Sequence, residues 1–296
     1  MEIVEIENLL LETKYEPFIG NFHRITFMDY LYDNLYKIGN SKLGYFALKI
    51  RKAGEKNVTE SIKLLEKIND EDNFINKNIE VIEKNSLVVI ISEWLNGIQP
   101  INNKKDTLSK FFSKLAILNK NNIVEGPFTS MYMDGQCFNS IRELVDMETS
   151  NHVKQLSIKL DTKILMDIMD NLKKGIPCVI NEDMNCGNFF ITKDGKYKTI
   201  DTEWISMGNN LYQFQHFDYF GFSGKKWHNI TEEAEDCYRA YFENLEIGNA
   251  EANEQIRAIE LLNTLRENTY WKNCGKENDK EIERRIETIV RREKYI

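Results

Sequence analysis

The chain has 296 residues, 42% of them hydrophobic and 29% charged, with a net charge of −8; this is enough apolar material for one large domain or two smaller ones. That acidic balance argues against nucleic acid as a partner, since binding a phosphate backbone needs a basic face, and no apolar run reaches the roughly 20 residues of a membrane helix. Met1-Glu2-Ile3-Val4-Glu5 carries acids where a secretory leader carries bases, so a cytoplasmic protein without a membrane or nucleic-acid partner is expected. Five cysteines, Cys137, Cys178, Cys186, Cys237 and Cys274, form no C-x-x-C pair, and their odd number argues for reduced thiols rather than a disulfide framework. The four histidines, His23, His152, His216 and His228, follow no zinc spacing.

In chain order, Glu2 to Leu11 has helical spacing, and Phe22 to Phe27, Asn34 to Ile38 and Tyr45 to Ile50 read as strands. Met28 to Asp33, between the first two, contains no glycine, so a glycine-rich phosphate cradle is missing there. In the third strand Lys49 stands within the apolar run Tyr45-Phe46-Ala47-Leu48-Lys49-Ile50. An ammonium is costly to bury unless an anion meets it, although strand alternation puts Leu48 and Ile50 opposite Lys49 and leaves a solvent-facing lysine open. A helix follows over Asn57 to Ile68, with Glu60 near its start and Glu66 on another face. Ile79 to Ile82 and Leu87 to Ile91 form a hairpin that breaks into Ser92-Glu93-Trp94-Leu95-Asn96-Gly97. No further strand pattern appears until after Asn188. Asp106 caps an amphipathic helix to Leu118, and further helices are expected over Ser140 to Met147, Lys163 to Lys173, Thr231 to Leu245, Ala250 to Arg266 and Lys280 to Arg292.

The most informative stretch is Val179 to Trp204, VINEDMNCGNFFITKDGKYKTIDTEW. Asp194-Gly195 between the apolar runs Phe189-Phe190-Ile191 and Tyr197 to Ile200 is a strong hairpin signal. Such a hairpin brings its two ends together, so Asp183, Asn188 and Asp201 should converge at one mouth. Two carboxylates and an amide oxygen are hard donors of the kind that suit Mg²⁺ with nucleotide phosphates. An Asp, an Asn five positions on and a later Asp, in that order, are the catalytic and metal positions of phosphoryl-transfer enzymes of the kinase type.

Here the sequence resembles the aminoglycoside phosphotransferase and choline kinase family, whose loop typically reads His-Gly-Asp-Leu-His-Pro-Gly-Asn and whose metal strand reads Ile-Asp-Trp-Glu. Asp183, Gly187, Asn188, Ile200, Asp201 and Glu203 match; Asn181 and Asn185 stand where the family has His, and Glu182 and Cys186 replace Gly and Pro. An amide can still hold the loop by hydrogen bonds but cannot shuttle a proton. Asn119 and Gln213 stand where the family commonly has His and Asp.

The resemblance implies an α+β, bilobed, protein-kinase-like fold, with an antiparallel-sheet small lobe over residues 1–95 and a mostly helical large lobe over 96–296. It implies ATP (or another nucleoside triphosphate) and Mg²⁺ as cofactors. Lys49 would hold nucleotide phosphates, Glu60 would pair with Lys49, and Glu93, Trp94 and Leu95 would form the hinge beside the base. Asn188 and Asp201 would bind the metal, and Asp183 would orient and deprotonate an acceptor hydroxyl. The expected activity is phosphorylation of a small-molecule hydroxyl. The aromatic run Tyr212 to Phe222, with Trp204 nearby, and the acidic balance suggest a cationic acceptor, choline- or ethanolamine-like or an aminoglycoside; dense aromatics are also ordinary core. The missing glycines and histidines suggest the competing reading, a pseudokinase or nucleotide-binding scaffold without phosphoryl transfer, but Asp183, Asn188 and Asp201 all stand in order and a working kinase is expected. A protein kinase is disfavoured because no Ala-Pro-Glu segment follows Asp201.

Overall fold

Strand alternation decides what each face of the first sheet carries. The computed structural model describes residues 3–27, 30–42, 44–52, 56–99, 105–130, 132–133, 136–157, 161–214, 232–275, 279–292 and 294–296. Helix α1 (Ile3–Leu10) precedes β1 (Phe22–Phe27), β2 (Tyr30–Asn40) and β3 (Gly44–Lys52); α2 (Lys56–Leu65) leads to β4 (Asn78–Lys84) and β5 (Leu87–Glu93). These strands form an antiparallel sheet in the order β1-β2-β3-β5-β4. The side chains of Leu48, Ile50, Val89 and Ile91 join Tyr36 and Ile38 under Ile6, Leu9 and Leu10 of α1. On the opposite face Val88 and Ile90 meet Val58 of α2. Each such burial contributes about 1.5–3 kcal/mol, which anchors a helix on both faces. Lys49 and Arg51 necessarily emerge on the α2 face. β2 starts earlier than expected, at Tyr30, because the tyrosine-rich Tyr30-Leu31-Tyr32 favours extended backbone; Met28 and Asp29, at the glycine-free stretch, lie outside the described residues.

The chain leaves this sheet after Glu93 and enters a second one at β6 (Gly97–Ile98), which pairs with β8 (Phe189–Thr192); β8 pairs with β9 (Tyr197–Thr199). Only glycine fits at position 97, where a Cβ would lie 2.2 Å from the carbonyl oxygen of Ile191. β7 (Pro177–Asn181) pairs with β10 (Ile205–Asn209). The expectation of no strand between residue 97 and the hairpin is therefore corrected. Cys178 to Asn181 is buried at every position, so it shows no alternation to read.

Helices make up most of the remainder: α3 (Lys105–Asn121), α4 (Ile141–Lys154), α5 (Thr162–Met169), α6 (Glu232–Asn244), α7 (Asn249–Asn273) and α8 (Asp279–Arg291). Asp106 lies inside the first turn of α3 rather than at its cap. The helix expected up to Lys173 gives way at Asp170 to a 3-10 turn. α4 starts at its cap, Ser140, whose side chain accepts from the backbone N–H of Glu143, and runs seven residues past Met147. α3 packs on α6, and α7 touches α4, α5 and α8. Phe111 of α3 stacks on Phe189 at 4.4 Å between centroids, and Phe112 stacks on Phe214 at 5.7 Å. The helical core thus supports the β8–β9 hairpin directly. Among the described residues no helix is long and apolar enough to cross a membrane.

A buried ion pair crosses this lobe. Arg266 of α7 reaches Glu148 of α4 through Nε at 2.6 Å and Nη2 at 2.5 Å, and its guanidinium lies 4.2 and 4.7 Å from the ring centroids of Tyr132 and Tyr212. Burial pushes the Glu148 carboxyl up, but Arg266 and His152 outweigh it and hold it below its ordinary value. Removing one member of such a pair strands the other charge. Arg266→Met should therefore cost about 3–5 kcal/mol in urea unfolding, and Glu148→Leu added to it should restore most of the loss; a double variant as unstable as the single one would contradict this.

Candidate active site

The β8–β9 hairpin assembles the mouth. Phe189 pairs with Thr199, and one step further the N–H of Ile200 donates to the carbonyl of Asn188 at 2.9 Å. Asn188 and Asp201 therefore flank the same opening. β7 delivers the third member: it ends at Asn181, two residues before Asp183. Asn181 is buried and uses both ends of its amide. Its Oδ1 accepts from the N–H of Asp183 at 3.0 Å, and its Nδ2 donates to the carbonyl of Asp201 at 2.9 Å. One side chain thus ties the two acidic segments together. Asn185 accepts from the N–H of Gly187 at 2.8 Å and donates to the carbonyl of Asp183 at 3.3 Å; Asn188 donates to that carbonyl at 2.7 Å. Gln99 Nε2 donates to the carbonyl of Gly187 at 2.5 Å. Asp201 has φ 59, a left-handed conformation that Asp tolerates better than most residues.

Asp183 is half-buried, and its carboxyl is pushed up to about 6, first by burial and then by Asp201; Asn188, Lys49 and Asn185 pull the other way. Lys49 Nζ lies 2.9 Å from Asp201 Oδ1 and 2.5 Å from Glu203 Oε1. The lysine on the first sheet therefore meets the acidic mouth of the second. An amide that spends its nitrogen on a backbone carbonyl presents its oxygen elsewhere. The Asn188 amide oxygen and the Asp201 carboxylate are hard-oxygen donors on the two segments that flank the mouth, and in donor type they would suit Mg²⁺. Among the described residues no group of three or more His, Cys, Asp or Glu that could hold a metal ion is found, at the mouth or elsewhere.

The structure does not bring Glu60 to Lys49. Among the described residues the ion-pair partners of Lys49 are Asp201 and Glu203, and Glu60 is exposed on α2. The face of α2 that meets β10 is instead that of Ser61, whose Oγ lies 2.6 Å from the carbonyl oxygen of Glu203 and 2.9 Å from that of Ile205, one proton being shared between the two. In the hinge, the Glu93 carbonyl accepts from Asn76 Nδ2 at 3.1 Å and the Trp94 N–H donates to the Tyr45 carbonyl at 3.2 Å. Lys37 Nζ sits 4.2 Å above the Tyr45 ring and 4.8 Å above that of Trp94. Leu95 is half-buried.

Asn119 and Gln213 meet each other: Gln213 Nε2 donates to Asn119 Oδ1 at 2.7 Å, Tyr241 Oη donates to the same oxygen at 2.8 Å, and Asn119 Nδ2 donates to the carbonyl of Val179 in β7 at 3.1 Å. They brace the strand that carries the loop. Tyr212 and Phe214 are core residues; His216 to Phe222 lie outside the described residues. Sequence reasoning missed Arg51, whose Nε and Nη2 lie 2.9 and 2.7 Å from Glu203 Oε2. Its position two residues after Lys49, on the same strand face, was the available signal.

No protein-family model matches the sequence, and no curated protein does. Solved structures match over nearly the whole chain. A Plasmodium vivax ethanolamine kinase shares 14% identity with a TM-score of 0.58, over 97% of this chain and 87% of that one. The aminoglycoside phosphotransferase APH(4)-Ia shares 12% with a TM-score of 0.61, over 98% and 99%. A putative fructosamine-3-kinase from Haemophilus somnus 129PT shares 14% with a TM-score of 0.55, over 97% of each chain. The chain has a kinase-like fold. The bilobed α+β architecture implied by the loop motif is therefore present, at an identity that speaks for fold alone.

Two predictions follow from the loop geometry. Asn181→Leu keeps the volume but removes both hydrogen bonds, leaving a buried N–H and a carbonyl unmet; it should cost about 1–3 kcal/mol in denaturant unfolding, and a loss below a few tenths would show that the tie carries no energy. In the metal-free protein Asp183 binds its proton more tightly folded than unfolded, because its pKa rises from 3.8 to about 6. Its contribution to stability is present below pH 4 and lost as pH rises through 6. The stability difference between Asp183→Asn and wild type should thus shift in the variant's favour by about 1–3 kcal/mol between pH 4 and 7, and a flat difference across that range would contradict the shift.

Proposed function

We propose that the protein transfers a phosphoryl group from a nucleoside triphosphate, ATP in the first instance, to a hydroxyl of a small molecule. The observation that carries this reading is the meeting of Lys49, Asp183, Asn188 and Asp201 at one mouth. Its fold neighbours support it, and structures of a thermostable APH(4)-Ia mutant include complexes with AMP-PNP and hygromycin B and with ADP and hygromycin B. Residues 1–95 would serve as the nucleotide lobe and 96–296 as the acceptor lobe. Lys49 would neutralise nucleotide phosphates, with Glu93, Trp94 and Leu95 bordering the base. The Asp201 carboxylate and Asn188 Oδ1 would hold Mg²⁺, which supplies charge neutralisation of the phosphates. Asp183 would orient the acceptor hydroxyl and take up its proton as the transfer proceeds, in a reaction governed by positioning and charge.

For the acceptor, a cationic alcohol remains the preferred class, choline- or ethanolamine-like before an aminoglycoside. The net charge of −8 supports it.

Asp183→Asn should lower kcat by about two to four decades while leaving MgATP affinity within a few-fold. Asp201→Asn should weaken MgATP binding as well. Calorimetry with MgATP and single-turnover assays over amino alcohols, aminoglycosides and sugars, read by product mass, separate these effects. A wild-type protein that binds MgATP, phosphorylates nothing in the panel and matches Asp183→Asn throughout would instead be a nucleotide-binding scaffold. Activity confined to uncharged sugars or nucleosides would remove the cationic acceptor.

A further inference from the structure

The β3 lysine has a carboxylate partner other than the one expected on α2. Glu203 Oε1 lies 2.5 Å from Lys49 Nζ, while Oε2 takes Arg51 Nε at 2.9 Å and Nη2 at 2.7 Å. The Glu203 side chain is 11% exposed and that of Lys49 22%, so the contact is shielded enough for orientation to matter. The backbone of Glu203 is also fixed: its carbonyl accepts from Ser61 Oγ of α2 at 2.6 Å. Oε2 is held by hydrogen bonds from Arg51, while Oε1 is buried, makes no hydrogen bond among the described residues and lies at ion-pair distance from Lys49. Arg51, with two nitrogens on Oε2, leaves Oε1 aimed at Lys49.

We propose that Glu203 is the positioning residue for Lys49, with Arg51 as the group that orients it. The inference rests on the phosphotransferase reading and deepens it. Lys49 also touches Asp201 at 2.9 Å, and Asp201 is the carboxylate assigned to the metal. Once a dication claims Asp201, Lys49 keeps a fixed anion only in Glu203, and its ammonium is held between that carboxylate and the incoming phosphates. Without Glu203 the lysine falls back on Asp201 and competes with the metal. Glu203 thereby separates the lysine's task from the metal's. The exposed Glu60, one residue before the Ser61 tether, is not needed for it.

The experiment measures MgATP affinity by calorimetry, kcat and KM for MgATP, and thermal unfolding for Glu203→Gln, Glu60→Gln, Arg51→Gln, Lys49→Ala and the pair Lys49→Ala with Glu203→Gln. Expected is a rise of about tenfold or more in Kd and KM for MgATP in Glu203→Gln, larger than in Glu60→Gln, since a charge-assisted contact is lost. In the Lys49→Ala background Glu203→Gln should add less than about twofold, because residues that act as a unit are not additive. Arg51→Gln should raise KM severalfold with Glu203 present. If Glu203→Gln does not fold, the Arg51→Gln result carries the test, and an unchanged KM there overturns the proposal. A full additional loss in the Lys49→Ala background, accompanied by a higher Mg²⁺ requirement, would make Glu203 a metal ligand and overturn it too. A larger effect of Glu60→Gln would return the role to α2. If wild type binds no MgATP and Lys49→Ala changes nothing, the phosphotransferase reading itself fails, whereas normal wild-type binding abolished by Lys49→Ala but untouched by Glu203→Gln sinks this proposal alone.

Discussion

Asp183 and Asp201 are two like charges that share a half-buried opening, and the surrounding structure is arranged to hold them there. Their mutual repulsion adds to desolvation in pushing the Asp183 carboxyl up to about 6. The chain would relieve this by separating them, were it not for Asn181, whose one amide bonds to the backbone of both segments. The cost is offset on the other side by Lys49, which reaches Asp201 at 2.9 Å. Lys49 is shared between Asp201 and Glu203, so the acidic opening is only partly neutralised, and in the proposed reaction it would accept a further cation.

That arrangement depends on the first sheet and on the parity of β3. Leu48 and Ile50 are buried beneath α1, so Lys49 and Arg51 have no choice of face. The chain between the two sheets is short, Glu93 to Gly97, and Gly97 lets β6 approach the backbone of Ile191 more closely than a side chain would allow. Through β6 and β8 the strand that carries Lys49 and the hairpin that carries Asp201 become parts of one connected scaffold. Phe111 stacked on Phe189 then couples the hairpin to α3, and Asn119 of the same helix holds β7. Both arms of the mouth are therefore braced by a single helix.

Much of this was legible in the sequence, for local reasons. Asp194-Gly195 between apolar runs marks the hairpin, and the hairpin alone implies that Asn188 and Asp201 meet. The alternation around Lys49 limits its direction to two faces. What could not be read was set by distant pairings or by uniform burial. β7 is buried at each position from Cys178 to Asn181, and a continuously buried short strand has no period. Glu60 and Glu203 are equally good carboxylates on paper; only the tertiary fold, 154 residues apart in sequence for Lys49 and Glu203, decides which one arrives. The aromatic run was ambiguous for the same reason, and its first members, Tyr212 and Phe214, pack in the core.

The asparagines at 181 and 185 explain how the loop keeps its geometry without imidazole. Each amide supplies one donor and one acceptor to the backbone, and Asn188 and Gln99 satisfy further carbonyls of the turn. Neither amide can relay a proton, so in the proposed transfer proton handling would fall to Asp183. A carboxyl with a pKa near 6 is a stronger base than an ordinary Asp and is still ionised at neutral pH, close to the compromise that general-base catalysis favours. The same burial and repulsion that burden the metal-free fold thus raise the basicity of Asp183. A metal cation on Asp201 would relax the repulsive part and leave the part due to burial, so basicity and metal binding draw on one electrostatic balance.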